Sequence, residues 1–194
     1  MSDFYLRSAR RLAEDMCLEV LRPGDSAVDA TMGNGYDTLR LCRLVGDGGM
    51  VYAFDTQSAA VDRTRLRLRA NGMESRAQLN HAGHERMAEF VPPGVKLVLF
   101  NLGWLPGGDK GVTTRTETTL RAFQAALSLL QVRGMLSVCV YPGHEEGSRE
   151  QAALLAFAQS LPPERFTVLW HRFINGGDGA PACLMIEKVS YPEK

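Results

Sequence analysis

The sequence lacks three features that would each have set its class. No apolar run approaches the roughly 20 residues that span a bilayer, and residues 1–11 are charged without a signal-peptide core. The four cysteines lie far apart with no C-x-x-C pair, so a disulfide framework is not indicated. Neither charge sign is in excess, because 22 Lys and Arg residues balance 22 Asp and Glu residues. These absences favour a cytoplasmic protein with reduced core cysteines, no membrane contact and no overall basic field.

The length and the hydrophobic content indicate one globular domain over residues 1–194, because 45% hydrophobic residues can fill a sizeable core. An N-terminal helix is expected over about residues 8–21, where it would cover the edge of a sheet. Beyond it, short apolar runs alternate with helical patterns. We expect strands at 27–30, 50–55, 77–81, 95–100, 135–140, 166–173 and 183–189, and helices at 37–45, 58–70, 116–130 and 150–161.

The last two expected strands are separated by a short glycine-rich segment, Ile174–Pro181. A connection this short must join antiparallel neighbours, since a parallel crossover needs about a dozen residues or more. The predicted fold class is therefore α/β and Rossmann-like, with a doubly wound, mostly parallel, seven-stranded sheet and a terminal antiparallel hairpin. That hairpin favours a class I methyltransferase over a plain dinucleotide-binding fold.

The segment from Asp29 to Thr38, D-A-T-M-G-N-G-Y-D-T, predicts a strand end, a glycine turn and the start of a helix. Such a turn can hold a nucleotide-like ligand. The dinucleotide pattern G-x-G-x-x-G is incomplete, because Thr38 replaces the third glycine. Asp29 would repel a pyrophosphate, but it suits the ammonium and sulfonium charges of S-adenosylmethionine. A plain loop or helix cap with two glycines remains the alternative interpretation.

Polar residues follow the second and third strands, whose carboxyl ends meet beside the ligand in a doubly wound sheet. Asp55 ends the second strand and can accept hydrogen bonds from a ribose diol, which both cofactor classes contain. His84 and Glu85 follow the third strand and are expected to contact adenine. His81 and His84 have no third ligand at metal spacing, so no metal site is expected.

Two polar segments follow the fourth and fifth strands: N-L-G-W-L-P-G-G-D-K at 101–110 and Y-P-G-H-E-E-G at 141–147. The first is unusually rich in glycine and carries an aromatic residue, so we expect the reaction centre there. Arginines also form neighbouring rows on the third helix, which indicates either a solvated face or a phosphate-binding patch. These arginines are Arg63, Arg65, Arg67 and Arg69.

Together these segments resemble the putative rRNA methylase family of the YtqB/MnmM type, and the likeness runs from about Ser8 to Lys188. The resemblance implies a class I methyltransferase that uses S-adenosylmethionine. It further implies a tRNA partner bound at the anticodon loop. Relatives methylate the amine of 5-aminomethyl-2-thiouridine at the wobble position, which gives 5-methylaminomethyl-2-thiouridine. The segments that carry the likeness are Asp29–Thr38, Phe54–Gln57, Gly83–Glu85, Phe100–Lys110 and Tyr141–Gly147.

The resemblance also implies which residues bind the cofactor. Most of them lie in the glycine turn, and the others follow the second, third and fourth strands. The residues expected to bind S-adenosylmethionine are Asp29, Thr31, Gly33, Asn34, Gly35, Asp37, Thr38, Asp55, Gln57, His84, Glu85, Asn101, Leu102 and Gly103.

The implied catalytic centre resembles the Asn-Pro-Pro-Tyr loop of amino methyltransferases. By that analogy, Asn101 and the Leu102 carbonyl would orient the amine, and Trp104 would stack on the flipped base. His144 would take the proton of the ammonium group, with Asp109 as the alternative base. A loop-stabilising hydrogen bond is the competing role for His144. The other expected substrate contacts are Lys110, Tyr141 and, for phosphates, Arg115 and the arginines of the third helix.

Three other functions stay open at this point. The acceptor could be an rRNA base or a small-molecule amine, and the balanced net charge gives the small molecule some weight. A nicotinamide-dependent dehydrogenase is opposed by Thr38, Asp29 and the terminal hairpin. A non-catalytic RNA-binding module is opposed by the polar residues of both rim segments. The small size leaves a homodimer open.

Overall fold

A computed structural model gives the fold and describes residues 8–105, 107, 111 and 113–189. Strands and helices alternate along the chain, as the apolar pattern predicts. The helices are α1 (Ala9–Val20), α2 (Tyr36–Val45), α3 (Ser58–Ala70), α4 (Thr116–Leu129) and α5 (Glu145–Gln159), with 3₁₀ turns at Glu74–Arg76 and His84–Glu89. The strands are β1 (Ser26–Asp29), β2 (Met50–Asp55), β3 (Ala77–His81), β4 (Val95–Asn101), β5 (Leu130–Val140), β6 (Phe166–His171) and β7 (Ala182–Lys188).

The seven strands form one sheet in the order β3-β2-β1-β4-β5-β7-β6. Strands β1 to β5 pair in parallel, whereas β7 runs antiparallel to both β5 and β6. The predicted doubly wound α/β fold with a terminal hairpin is confirmed. Because β1 lies between β2 and β4, the chain segments that follow these three strands meet at one edge of the sheet.

Helices cover both faces of the sheet, and the central strands alternate between the two cores. Along β4, Leu97 and Leu99 pack with side chains of α1 and α2. Val98 and Phe100 point the other way, into the core built with α4 and α5. This period of two is what a strand buried on both faces requires. It fixes which residues of β4 are structural and leaves its end, Asn101, to reach the ligand edge.

Helix α1 lies on the face of the sheet, not at its edge as expected from the sequence. It packs against β4, β5 and β7 through buried small residues, including Ala13 and Cys17. Burial of this apolar stripe holds the helix over the centre of the sheet. Arg10, in its first turn, is therefore brought to the ligand edge.

Two elements begin five residues earlier than the sequence-based expectation, because 150 − 145 and 135 − 130 are both 5. Helix α5 begins at Glu145, not at residue 150, because the His144 Nδ1 accepts the Gly147 N–H (3.1 Å) and caps the helix. Glu145 and Glu146 lie in its first turn, where the helix dipole favours acidic side chains. Strand β5 begins at Leu130, with irregular pairing opposite β4 near its start.

All four cysteines are buried and unbridged, which confirms the prediction of reduced core thiols. Cys139 and Cys183 face each other across β5 and β7, with their sulfur atoms 3.0 Å apart. Within the described ranges, no helix combines the length and apolar content that crossing a membrane requires. The same part of the chain contains no group of three or more His, Cys, Asp or Glu side chains placed to hold a metal ion.

Candidate active site

A cavity of about 710 Å³ lies at the carboxyl ends of the central strands. Its volume falls in the range of roughly 300–1,000 Å³ that is usual for small-molecule and cofactor sites. Its wall is formed by Arg10, Ala30, Thr31, Met32, Gly33, Asn34, Tyr36, Asp37, Phe54, Asp55, Thr56, Gln57, Ala82, Gly83, His84, Glu85, Asn101, Leu102, Gly103, Trp104, Leu105, Thr113, Thr114, Arg115, Thr118 and Tyr141.

The glycine turn after β1 forms one side of the cavity. Gly33 and Gly35 have φ values of 48° and 78°, in the left-handed region that glycine adopts readily. A Cβ on Gly35 would lie 2.9 Å from the Thr64 Cα of α3, so the turn packs directly on that helix. The Thr64 hydroxyl donates to the Gly33 carbonyl (3.2 Å) and holds the turn in place.

Asp29 and Thr38 lie beneath the turn and do not line the cavity, although the sequence suggested that both contact the cofactor. Both are fully buried, and the Thr38 hydroxyl donates to the Asp29 carboxylate at 2.6 Å. The Thr31 N–H donates to the other carboxylate oxygen (3.2 Å). Burial raises the pKa of Asp29 to about 7, and the negative charge of Asp37 adds to the shift. Asp29 therefore shapes the turn from below.

Asp55 lines the cavity at the end of β2 and is fixed by two backbone donors. The Gly33 N–H donates to Oδ2 (3.1 Å) and the Gln57 N–H to Oδ1 (2.9 Å). Burial raises the pKa of Asp55, while these two hydrogen bonds oppose the rise. Each carboxylate oxygen keeps further lone-pair capacity, which is the geometry that binds a ribose diol.

The segment after β3 places His84 and Glu85 on the cavity wall. The His84 Nδ1–H donates to the Ala30 carbonyl (3.3 Å), and its ring packs edge-on against Phe100 at 5.5 Å. Burial lowers the pKa of His84, so the ring is held neutral. Its Nε2 is then an acceptor. Contact with adenine stays a prediction for both residues.

Asn101 lies at the end of β4, where two side chains from the region of the glycine turn hold it. Its backbone N–H donates to the Thr31 hydroxyl (2.8 Å), and its Nδ2 donates to the Asp37 Oδ2 (2.8 Å). The Asn101 Oδ1 is buried and has no hydrogen-bond partner among the described residues. Leaving a buried acceptor unpaired costs roughly 1–3 kcal/mol. This oxygen therefore keeps acceptor capacity that no described residue uses.

A second buried oxygen has no partner in the described part of the chain: the Thr113 Oγ1, also on the cavity wall. Thr113 pairs with Trp104 in an isolated antiparallel bridge, and the Gly103 N–H donates to the Thr114 hydroxyl (3.0 Å). These contacts place the segment before α4 directly beside the end of β4. Sequence analysis missed Thr113 and Thr114 because only tertiary pairing brings them to the site.

Trp104 lines the cavity with 38% of its surface exposed, and the His144 ring packs behind it at a centroid distance of 5.0 Å. His144 itself does not belong to the cavity wall. Its Nδ1 accepts the Gly147 N–H, so a neutral ring carries its proton on Nε2, which is buried and has no hydrogen-bond partner among the described residues. The expected role as a proton acceptor would require this cap to break. The structure instead shows the loop-stabilising role for His144.

The remaining residues predicted for the substrate divide into two groups. Tyr141 lines the cavity, and burial raises its pKa to about 12, so its phenol stays protonated. Asp109 and Lys110 lie outside the described residues.

The arginines of α3 each have partners within the protein. Arg63 donates to the Asn34 side chain (3.1 Å), and Arg67 donates to the Asn34 carbonyl (2.7 Å). The Arg67 guanidinium also stacks on the Tyr36 ring at 3.6 Å. The others pair along the surface as Arg65–Asp62 and Arg69–Glu74. Two arginines of this row thus support the glycine turn.

Arg10 is the cationic side chain that sequence analysis did not place at the site. It reaches the cavity from α1, and its Nη2 donates to both oxygens of Asp37, at 3.2 and 3.5 Å. A charged residue in a first helical turn gives no sequence signal for this contact, because the packing of α1 on the sheet face creates it.

Comparison with known proteins shows the family. The model of the family described as "Putative rRNA methylase" matches residues 51–187. The chain belongs to this rRNA methylase family. A relative from Arabidopsis thaliana, named tRNA (mnm(5)s(2)U34)-methyltransferase, chloroplastic, is 39% identical over 169 residues. That alignment covers 82% of this chain but 62% of the Arabidopsis protein, so the chain spans about three fifths of that relative.

Two solved structures are similar to this rRNA methylase family member over nearly the whole chain. A putative rRNA methylase from Clostridium thermocellum is 35% identical, with a TM-score of 0.93, and 96% of this chain and 100% of that chain are covered. A putative methyltransferase from Streptococcus mutans, solved in complex with SAH, is 34% identical with a TM-score of 0.86. Coverage there is 95% of this chain and 99% of that chain. The predicted family resemblance is confirmed.

Proposed function

We propose that this protein is an S-adenosylmethionine-dependent methyltransferase that N-methylates 5-aminomethyl-2-thiouridine at the tRNA wobble position. Membership of the rRNA methylase family and the SAH-bound Streptococcus mutans relative support the reaction class. The name of the Arabidopsis relative supports the wobble nucleoside. The observation that carries the choice of an amine is that Asn101, a residue of the cavity wall, has a buried Oδ1 with no hydrogen-bond partner among the described residues, which leaves an acceptor for an N–H donor.

The cavity residues fit the cofactor. Asp55 offers carboxylate oxygens suited to a ribose diol, and the left-handed Gly33 keeps the backbone open beside it. Glu85 adds negative charge to the wall, which suits a cationic amino acid end. When bound, S-adenosylmethionine supplies an electrophilic methyl carbon on a sulfonium.

The protein's own task is then to orient a neutral amine. Orientation can contribute several kcal/mol to lowering a reaction barrier. The Asn101 Oδ1 accepts one amine N–H, and the neighbouring Leu102 carbonyl is our choice for the other. The Leu102 N–H donates to the Cys139 carbonyl (3.0 Å), which anchors this stretch to β5. With the nitrogen held by its hydrogens, its lone pair can face the methyl donor.

We assign the acceptance of the amine proton and the contact with the wobble nucleobase to different residues. Because the His144 Nδ1 caps α5, we place proton transfer with Asp109 or with solvent. Trp104 stacks on the flipped wobble base, since it is half-exposed at the cavity wall and backed by the His144 ring. Stacking of a base on an aromatic side chain is worth roughly 1–3 kcal/mol. Arg115, exposed at the wall, and Lys110 are the cations we assign to the anticodon-stem phosphates.

The test is nucleoside mass spectrometry on tRNA from a strain lacking this gene, before and after incubation with purified protein and S-adenosylmethionine. We expect 5-aminomethyl-2-thiouridine to be converted to its methylated form. Asn101→Ala should abolish turnover and still bind S-adenosylhomocysteine. If the nucleoside stayed unchanged while rRNA or a small amine accepted the methyl group, the substrate assignment would be wrong. Thermal stabilisation by NAD but not by S-adenosylhomocysteine would overturn the reaction class.

A further inference from the structure

We infer that Asp37 is a positioning residue that sets the orientation of the Asn101 carboxamide, so that its oxygen and not its nitrogen faces the reacting amine. The inference rests on the proposed amine methylation and deepens it. Asp37 would select a nucleophile that brings N–H groups. This role differs from the direct cofactor contact that the sequence suggested for Asp37.

The argument begins with the symmetry of a carboxamide. Rotation by half a turn exchanges the oxygen and the nitrogen of Asn101 with little change in shape, so packing alone does not decide which atom faces the cavity. A carboxylate is an acceptor only. The Asp37 Oδ2, 2.8 Å from the Asn101 Nδ2, therefore requires the amide nitrogen on its side and turns Oδ1 away from it.

The Asp37 carboxylate is itself held in place from two helices. The Arg10 Nη2 of α1 donates to both of its oxygens, and the Arg40 Nη1 of α2 lies 3.7 Å from Oδ1. Burial raises the pKa of Asp37, but the charges of Arg10 and Arg40 oppose this and favour the carboxylate. Its place in the first turn of α2 favours the same charged form.

The chemical consequence concerns the nucleophile. An amide oxygen at the reacting position accepts an N–H and leaves the amine lone pair available for attack. A flipped amide would present an N–H donor, which would bind that lone pair and block it. A buried Oδ1 without a partner in the described part of the chain is what we expect of a site that awaits such a donor. Asp37 thus acts through Asn101 on the nitrogen that is methylated.

The test exchanges the two side chains. Asp37→Asn removes the obligatory acceptor, so the Asn101 amide can rotate, and we expect kcat to fall about tenfold to a hundredfold. Asn101→Asp puts two carboxylates against each other, and the kcat of this variant should fall at least as far. The double variant Asp37→Asn/Asn101→Asp again sets a donor against an acceptor and leaves one carboxylate oxygen for the amine. Its kcat should therefore exceed that of Asn101→Asp alone.

If Asp37 acted only in cofactor binding or in the stability of α2, the second substitution would add to the loss of kcat caused by the first and would not restore it. In that case the double variant would be slower than both single variants, and the inference would be overturned. Calorimetric titration with S-adenosylhomocysteine and thermal unfolding should show smaller changes than kcat in each variant. The matched control is Asp62→Asn, an exposed carboxylate of α3 that pairs with Arg65, and it should keep the rate of the unmodified protein.

A second measurement separates this inference from the proposed function. In ¹⁵N NMR spectra of the unmodified protein, the Asn101 side-chain NH₂ should exchange with solvent much more slowly than that of the exposed Asn175. The protection should be lost in Asp37→Asn. Exchange as fast as at Asn175 in the unmodified protein would overturn the inference, whether or not tRNA is methylated. Absence of tRNA methylation with a protected Asn101 amide would count against the proposed substrate alone.

Discussion

At the scale of single residues, the buried Asp29 makes the stability of this protein depend on pH. Burial raises its pKa from the ordinary value of 3.8 to about 7. Between pH 3.8 and about pH 7, Asp29 is therefore protonated in the folded state and ionised in the unfolded state. Its contribution to the free energy of unfolding is fully present below pH 3.8 and is lost as the pH rises through about 7. The unmodified protein should lose stability over this window.

Asp29→Asn should make the free energy of unfolding depend less on pH over this window. The asparagine keeps an acceptor for the Thr31 N–H and can donate to the Thr38 hydroxyl, yet it does not titrate. Chemical denaturation at several pH values measures the difference, with Asp62→Asn as the exposed control. Parallel pH profiles for Asp29→Asn and the unmodified protein would contradict the assigned pKa shift.

Asp55 is the residue whose loss should weaken the cofactor most directly. Asp55→Ala removes the proposed ribose acceptor and releases the Gly33 N–H of the glycine turn. A hydrogen bond to a charged group contributes about 1.5–3 kcal/mol, which corresponds to a loss of about tenfold or more in affinity. Calorimetric titration with S-adenosylhomocysteine tests this. Unaltered affinity would place the ribose elsewhere.

At the scale of elements, the start of α5 holds the segment that carries Trp104. Glu150, fully buried, accepts from the Thr114 hydroxyl (2.9 Å) and the Thr119 hydroxyl (2.8 Å). The Thr114 hydroxyl in turn accepts the Gly103 N–H, next to Trp104. One turn earlier, the Glu146 carboxylate accepts from the Thr116 N–H and hydroxyl, which fixes the start of α4.

Removing this anchor should affect both folding and turnover. Glu150→Ala leaves two threonine hydroxyls without their acceptor and should lower the free energy of unfolding by about 1–3 kcal/mol. Because the released segment carries Trp104 and not the glycine turn, kcat should fall more than affinity for S-adenosylhomocysteine. Glu150→Gln, which keeps one acceptor, should be milder, and the exposed Glu145→Gln should be neutral. Equal losses of kcat and cofactor affinity would refute this link.

The elements also show where sequence analysis succeeds and where it cannot. The mostly parallel sheet and its terminal hairpin were predictable, because apolar runs and a short glycine-rich connection leave few topologies. The start of α5 was not, since the cap by His144 depends on a side-chain rotation that no pattern encodes. Arg10 and Thr113 were missed for a related reason: each reaches the cavity only through packing between elements distant in the chain.

At the scale of the whole molecule, the absence of net charge limits how an RNA can be bound. Lys and Arg residues equal Asp and Glu residues in number, and the arginines of α3 are engaged within the protein. Binding should therefore depend on base stacking at Trp104 and on few phosphate contacts, with Arg115 the exposed cation at the cavity wall.

This predicts a weak salt dependence for the complex with an anticodon stem-loop. Two or three phosphate contacts at about 0.7–0.9 released counterions each give a slope near −2 in a plot of log K against log salt concentration. Arg115→Gln should remove one phosphate contact and make that slope shallower by about 0.7–0.9. Trp104→Ala should weaken binding and leave the slope unchanged. Fluorescence anisotropy over a salt series measures both. A slope much steeper than −2 would mean that the RNA is held mainly by basic residues, for which a second subunit or the segment around Lys110 would have to provide the charge.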